Sequence, residues 1–128
     1  MKRYTIERWR NLIVVRAAIE SEHVVRAVRL MVDTGSSYTV LPRERLQALG
    51  YDPTASQERR GAFTVDSMIM VPLVRLRRFH CLGKVAEHFS VLCHTLPVIA
   101  SVDGLLGMDF LTSFDIALHV RQGYIEVE

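Results

Sequence analysis

Residues Leu30–Leu41 read LMVDTGSSYTVL. An apolar run ends on the carboxylate of Asp33, and a second strand-like run, YTVL, resumes only a few residues later. Asp, Thr, Gly and Ser are common turn residues, so the stretch is open to a bland reading as a plain connection. Average residue usage produces Asp-Thr-Gly by accident in roughly 2% of chains of this length, so the tripeptide is suggestive without being decisive. Its flanks add weight. A carboxylate set between two continuous apolar runs sits at the floor of something, and a buried carboxylate requires hydrogen-bond partners or a shared proton. Gly35 lets the backbone approach closely and supplies an N–H, Ser36 offers a hydroxyl to the same carboxylate oxygens, and Thr34 brings another hydroxyl within reach of neighbouring backbone.

Working outward, LIVVRAAI (12–19) and VVRAVRLMV (24–32) are β-branched strand candidates separated by Ser21, Glu22 and His23. They predict a hairpin whose second strand runs directly into Asp33. After YTVL, Pro42 suits the first turn of a helix, RERLQALG places Leu46 and Leu49 on one face, and Gly50 is a C-terminal stop. The polar segment YDPTASQERR (51–60) reads as a surface loop. GAFTV and MIMVPLVRL then predict a second hairpin with its tip at Asp66 and Ser67. EHFSVLCHTL is a further strand, ended by Pro97. In the tail, GLLG (104–107) predicts a tightly packed strand and turn, MDFLTSF a short helix, and IALHV and YIEVE a hairpin turning at Gln122 and Gly123. A faint two-fold similarity relates VDTGSS…RERLQALG to VDGLLG…MDFLTSF. Trp9 and TIERWR are left open between a strand, a docking surface and a disordered arm. The expected class is mainly β, with one or two short helices.

The chain has 128 residues, of which 49% are hydrophobic and 23% charged, as expected of a single globular domain spanning 1–128. A net charge of +2, with acids and bases interspersed, gives no basic face, so nucleic acid is not an expected partner. No apolar stretch is long enough to span a bilayer, and charges interrupt MKRYTIERWRNLIVV where a signal peptide needs an apolar core; no membrane partner and a cytoplasmic location are expected. Cys81 and Cys93 are too few for a disulfide framework. The spacing of His80, Cys81, His88, Cys93 and His94 matches no common zinc arrangement, so neither a metal nor another cofactor is expected.

LMVDTGSSYTVL, the later GLLGMDFL and the terminal hairpin together resemble the retropepsin-like aspartic proteases, single-domain relatives of pepsin, from about Leu12 to the C-terminus. The resemblance implies a closed, barrel-like acid-protease fold with a flap hairpin. It also implies a homodimeric aspartic endopeptidase, because the chain holds one Asp-Thr-Gly and the chemistry uses two aspartates, so Asp33 must meet Asp33 of a second copy. Thr34 would then bond its mate across the two-fold axis, and Gly35 and Ser36 would support the catalytic loop. The flap would span Ala62 to Val71, with Phe63, Thr64, Val65, Asp66, Ser67 and Met68 over an extended peptide or protein substrate. Gly104, Leu105, Leu106 and Gly107 would form the turn behind the loop, with both leucines supporting it from beneath. Viral members usually carry acidic residues soon after Asp-Thr-Gly and an Arg after the second-motif glycine; Ser37 and Met108 stand here, so the match is better to cellular and bacterial members.

The same residues are open to other readings. A retropepsin-fold dimer with weak or no catalysis would act as a peptide-binding or assembly module, and a monomeric barrel would have no hydrolytic role. A serine nucleophile at Ser36 or Ser37 lacks a G-x-S-x-G elbow. Asp103, Asp109 and Asp115 do not stand in a D-[TS]-G context, and Asp109 is expected at the start of the short helix, facing free N–H groups.

Overall fold

The computed structural model describes residues 1–63, 67–96 and 102–128, with Phe63 described by its backbone alone. The strands are β1 (Lys2–Thr5), β2 (Glu7–Trp9), β3 (Leu12–Glu20), β4 (Val25–Val32), β5 (Val40–Leu41), β6 (Arg59–Phe63), β7 (Met68–Cys81), β8 (Lys84–Cys93), β9 (Gly104–Leu106), β10 (Ile116–His119) and β11 (Tyr124–Val127). Helix α1 covers Arg43–Ala48 and α2 covers Met108–Leu111. The mainly β class is as expected.

Strands β3, β4, β9, β5, β8 and β7 follow one another by hydrogen bonding, and β3 also pairs with β7, which closes the sheet on itself. The length of β3 and β7 makes this possible. The second half of β3 pairs with β4 through one edge and with β7 through the other, from Ala17↔Cys81 to Glu20↔Arg78. Closing the ring removes the free edges that an open sheet would present. Glu20 marks the seam: its carboxylate lies 2.8 Å from Arg78 Nη1 and 2.9 Å from His80 Nε2. Those hydrogen bonds, from His80 first and Arg78 second, hold its pKa below the ordinary value. Tyr51 Oη adds to the join, donating to Glu20 O at 3.0 Å and accepting from Arg77 N at 2.8 Å.

Inside the ring, the inward residues of alternate strand positions meet: Ile19, Leu30, Leu41, Leu76 and Leu106 are all fully buried. Phe79 stacks on Phe89 with centroids 5.0 Å apart and meets Phe110 of α2 edge-on at 5.2 Å. Such contacts fix α2 against the barrel and each contributes about 1 kcal/mol beyond its buried area. Helix α1 obeys its sequence signals. Leu46 and Leu49 are buried, Gly50 takes φ +94°, and Gly50 N–H and Tyr51 N–H donate to Gln47 O and Leu46 O at 2.9 and 3.1 Å, the paired bonds of a glycine-terminated helix.

Several boundaries differ from expectation. Residues 51–60 are not wholly a loop: a 3-10 turn forms over Pro53–Ala55, and Arg59 and Arg60 begin β6. Strand β7 continues past Leu76 to Cys81 and turns through Leu82 and Gly83, both at positive φ, into β8. The TIERWR segment is not an unattached arm. Strand β1 pairs with β11 and β2 with β3, and Arg10 and Asn11, at φ 48° and 63°, make the tight turn between β2 and β3.

The strand β9 threads between β4, to which it is parallel, and β5, to which it is antiparallel. Space there is minimal: a Cβ on Gly104 would lie 1.9 Å from Val40 O, and one on Gly107 would lie 2.4 Å from the Tyr38 carbonyl. We therefore expect Gly104→Ala to lower the urea unfolding free energy by about 3 kcal/mol. Gly50→Ala, at a position with open space around it, should cost only about 1 kcal/mol through its positive φ. Equal losses in the two variants would show that the β9 threading is not sterically tight.

Candidate active site

Asp33 follows the last residue of β4, and its backbone N–H donates to Leu106 O at 3.0 Å. The carboxylate is thereby placed at the junction of β4 and β9. The chain turns at once: Gly35 N–H donates to Asp33 Oδ1 at 2.9 Å, and Ser36 N–H donates to Asp33 O at 3.2 Å. A Cβ on Gly35 would stand 3.2 Å from the same Oδ1, so glycine allows the close approach that this bond requires. Ser36 departs from its expected role. Its hydroxyl donates to Tyr38 O at 2.7 Å, because the loop curls its side chain away from the carboxylate and toward the next turn. This commitment also removes it as a nucleophile. Thr34 is exposed, and its hydroxyl has no partner among the described residues.

The loop is held from the far side by α2. Met108 N–H donates to Ser36 O at 2.8 Å and Asp109 N–H to Ser37 O at 3.2 Å. In return, the Asp109 carboxylate accepts from Thr39 N–H at 2.9 Å, from Thr39 Oγ1–H at 2.8 Å and from Phe110 N–H at 2.9 Å. Thr39 is fully buried, and its Oγ1 also accepts from Gly107 N–H at 3.1 Å. A hydroxyl that donates to one motif and accepts from another ties the two segments into one unit. Asp109 does meet free N–H groups at the start of α2, as read from sequence. Its bonds to Thr39 are the part that sequence did not disclose, since 70 residues separate the two.

A cleft of about 440 Å³ opens beside Asp33. Asp33 and residues 35–38 supply its polar side, while Val40, Ala62, Leu92, Leu96 and Leu105 supply an apolar wall in which His94 stands. Here the two leucines of GLLG part company. Leu106 is fully buried beneath the loop, but Leu105, one residue earlier on a strand, faces the other way and lines the cleft. The hairpin β6–β7 borders the same space, with Phe63↔Met68 as the last described pair before its tip. Ser67 and Met68 are exposed; Thr64, Val65 and Asp66, expected at the tip, lie outside the described residues.

A family model described as aspartyl protease matches residues 15–110, a span that includes Asp33 and the whole β4–β9–α2 junction. The chain belongs to the aspartyl protease family. Its fold is the retropepsin-like one: a retropepsin-like aspartic protease from Rickettsia conorii superposes with a TM-score of 0.73 at 21% identity, covering 98% of this chain and 90% of that one. No curated protein matches the chain.

Among the described residues of this aspartyl protease family member, no group of three or more His, Cys, Asp and Glu side chains gathers to hold a metal. Cys81 and Cys93 are buried and unpaired. Burial pushes the Cys81 thiol up to about 12 and raises Cys93 as well, so neither is a thiolate nucleophile. The other acids are engaged elsewhere. Asp103 Oδ2 accepts from Arg29 N–H at 2.7 Å and Oδ1 from Arg45 Nε at 3.0 Å, tying β4 to α1, while Asp115 is exposed.

Burial raises the Asp109 pKa above its ordinary 3.8, against the opposing effect of its hydrogen bonds from Thr39 and Phe110. Between 3.8 and the raised value the folded protein holds a proton that the unfolded chain has released. Stability contributed at this position therefore falls as pH rises through that window. Asp109→Asn should remove this slope, which urea unfolding at stepped pH from about 3 upward would read out. Asp109→Ala leaves the two Thr39 donors without an acceptor and should cost about 2–3 kcal/mol. A variant as stable as wild type would refute the role given to the carboxylate.

Proposed function

We propose that this single-domain protein is a homodimeric aspartic endopeptidase, in which Asp33 of each of two chains activates the water that hydrolyses a peptide bond. One observation carries the reading: among the described residues lining the cleft, Asp33 is the sole carboxylate, whereas the family's chemistry needs an ionised acid and a protonated one. A two-fold axis beside Asp33 supplies the second from a second copy. Like charges about 3 Å apart do not both ionise, so the pair shares one proton over a wide pH range, and the two apparent pKa values belong to the pair.

In the reaction, the ionised carboxylate takes a proton from water as its oxygen attacks the scissile carbonyl carbon, and the protonated one donates to the carbonyl oxygen. Collapse of the tetrahedral intermediate breaks the C–N bond, with a proton passing to the leaving amine. The Gly35 N–H on Oδ1 orients the carboxyl from within its own loop. The free, exposed hydroxyl of Thr34 suits a bond to its mate across the axis. Strand β10 offers a further surface for the second copy: among the described residues one of its edges is unpaired, and its own Leu118 is exposed. The β6–β7 hairpin acts as the flap, pairing its backbone with an extended peptide. Two buried thiols and interspersed charge suit a reducing cytoplasm.

Asp33→Asn should lower kcat/KM on a degenerate peptide library by at least about a thousandfold, with wild-type turnover highest between about pH 4 and 7. Undiminished cleavage by the Asn variant would refute the proposal. Peptide binding without Asp33-dependent product would instead identify a recognition module, and a chain that sediments as a monomer at every accessible concentration would remove the dimeric site altogether.

A further inference from the structure

The cleft holds one side chain that neither the catalytic loop nor the apolar wall explains. His94 follows β8, and its backbone N–H donates to Leu41 O at 3.0 Å, which fixes the residue against the end of β5. Its side chain is half-exposed, lines the cleft together with Asp33, and has no hydrogen-bond or ion-pair partner among the described residues. Of the other four histidines, His80 lies against Glu20 at 2.9 Å and His119 against Glu126 at 2.7 Å while stacking on Tyr124, whereas His23 and His88 are exposed and lie outside the cleft lining. An imidazole fixed at its backbone, unengaged at its ring and directed into a substrate-sized space is available to something that enters that space.

The surroundings define what enters. Among the described lining residues the cleft has neither Lys nor Arg, so His94 is its only basic side chain, set beside Val40, Leu92, Leu96 and Leu105. Apolar neighbours lower the local dielectric and strengthen a charge-assisted hydrogen bond relative to one in open water. The charges at the start of α1, Arg43 and Glu44, act in opposite senses on adjacent Cys93. Tyr38 is the other titratable residue of the lining besides Asp33. An incoming carboxylate is repelled by the net negative charge of an Asp33 pair, and His94 is the group placed to offset that repulsion.

We propose that His94 is a specificity-determining residue whose imidazole receives an acidic side chain of the bound peptide near the scissile bond. The inference rests on reading the cleft as half of a dimeric peptide site. Two-fold symmetry then places one His94 on each side of the scissile bond, so a preference for Glu or Asp arises on both sides, next to apolar residues that occupy the Val40–Leu105 wall.

The test uses the full chain carrying Asp33→Asn, which separates recognition from hydrolysis. Fluorescent extended peptides with apolar residues flanking the central bond, identical except for Glu or Gln at each position to either side, are titrated by anisotropy. At least one position on each side should favour Glu over Gln by about fivefold in Kd. Adding His94→Ala should bring that ratio to one, as should His94→Gln, which keeps a polar side chain without the imidazole; unchanged urea unfolding would show that both fold. A Glu preference that survives both variants, its absence from the His94-intact protein, or failure of every peptide to bind overturns the inference. Cleavage by the Asp33-intact chain is measured separately. Peptide hydrolysis with no His94-dependent preference would sink this inference alone, while His94-dependent binding without any Asp33-dependent cleavage would sink the catalytic reading alone.

Discussion

The fold depends on one close contact, the passage of β9 between β4 and β5. Hydrogen bonding from Asp33 N–H to Leu106 O and the Val40↔Leu105 pairing require the backbones to meet where no side chain fits. Gly104 and Gly107 satisfy that requirement on either side of the two leucines. Packing at this density transmits small displacements, so the position of the Asp33 carboxylate is set by atoms more than 70 residues away in sequence. The closed ring, the placement of α2 and the mouth of the cleft all follow from that threading.

Around it the polar groups divide into two kinds. Asp109, Thr39, Asp103 and Arg45 spend their hydrogen-bonding capacity inside the chain, joining the Asp33 loop to α2 and β4 to α1. Among the described residues, Asp33 accepts one side-chain hydrogen bond, from Gly35 N–H, and the Thr34 and His94 side chains have no partner. Asp109, satisfied by three donors, is a structural element, and Asp103, held by Arg29 and Arg45, is likewise bound into the fold.

Much of this was legible residue by residue. Alternating apolar residues gave the β3–β4 hairpin, and Pro42 with Gly50 bounded α1 to within a residue. Local chemistry was enough there, since turn geometry and helix ends are governed by neighbours in the chain. Reading failed where a distant partner decided the outcome. The continuation of β7 to Cys81 is stabilised by β3 and β8, the attachment of β1 depends on β11, and the opposite facing of Leu105 and Leu106 follows from β9 being a strand with neighbours on both sides. Ser36 turned toward Tyr38 for the same reason: loop curvature, imposed by α2, outweighed the nearest carboxylate.

By itself the sequence determined the chemical endowment: a single Asp-Thr-Gly placed between strands, a Gly-Leu-Leu-Gly able to pack closely, and no second acid in an equivalent context. These are properties of residue type and spacing, which survive without knowledge of contacts. Tertiary structure alone decided which groups meet. It joined Thr39 to Asp109, set Leu105 and His94 in the cleft with Asp33, and sent Asp103 to Arg45, because closing a ring of strands brings together side chains whose separation along the chain hides their proximity in space.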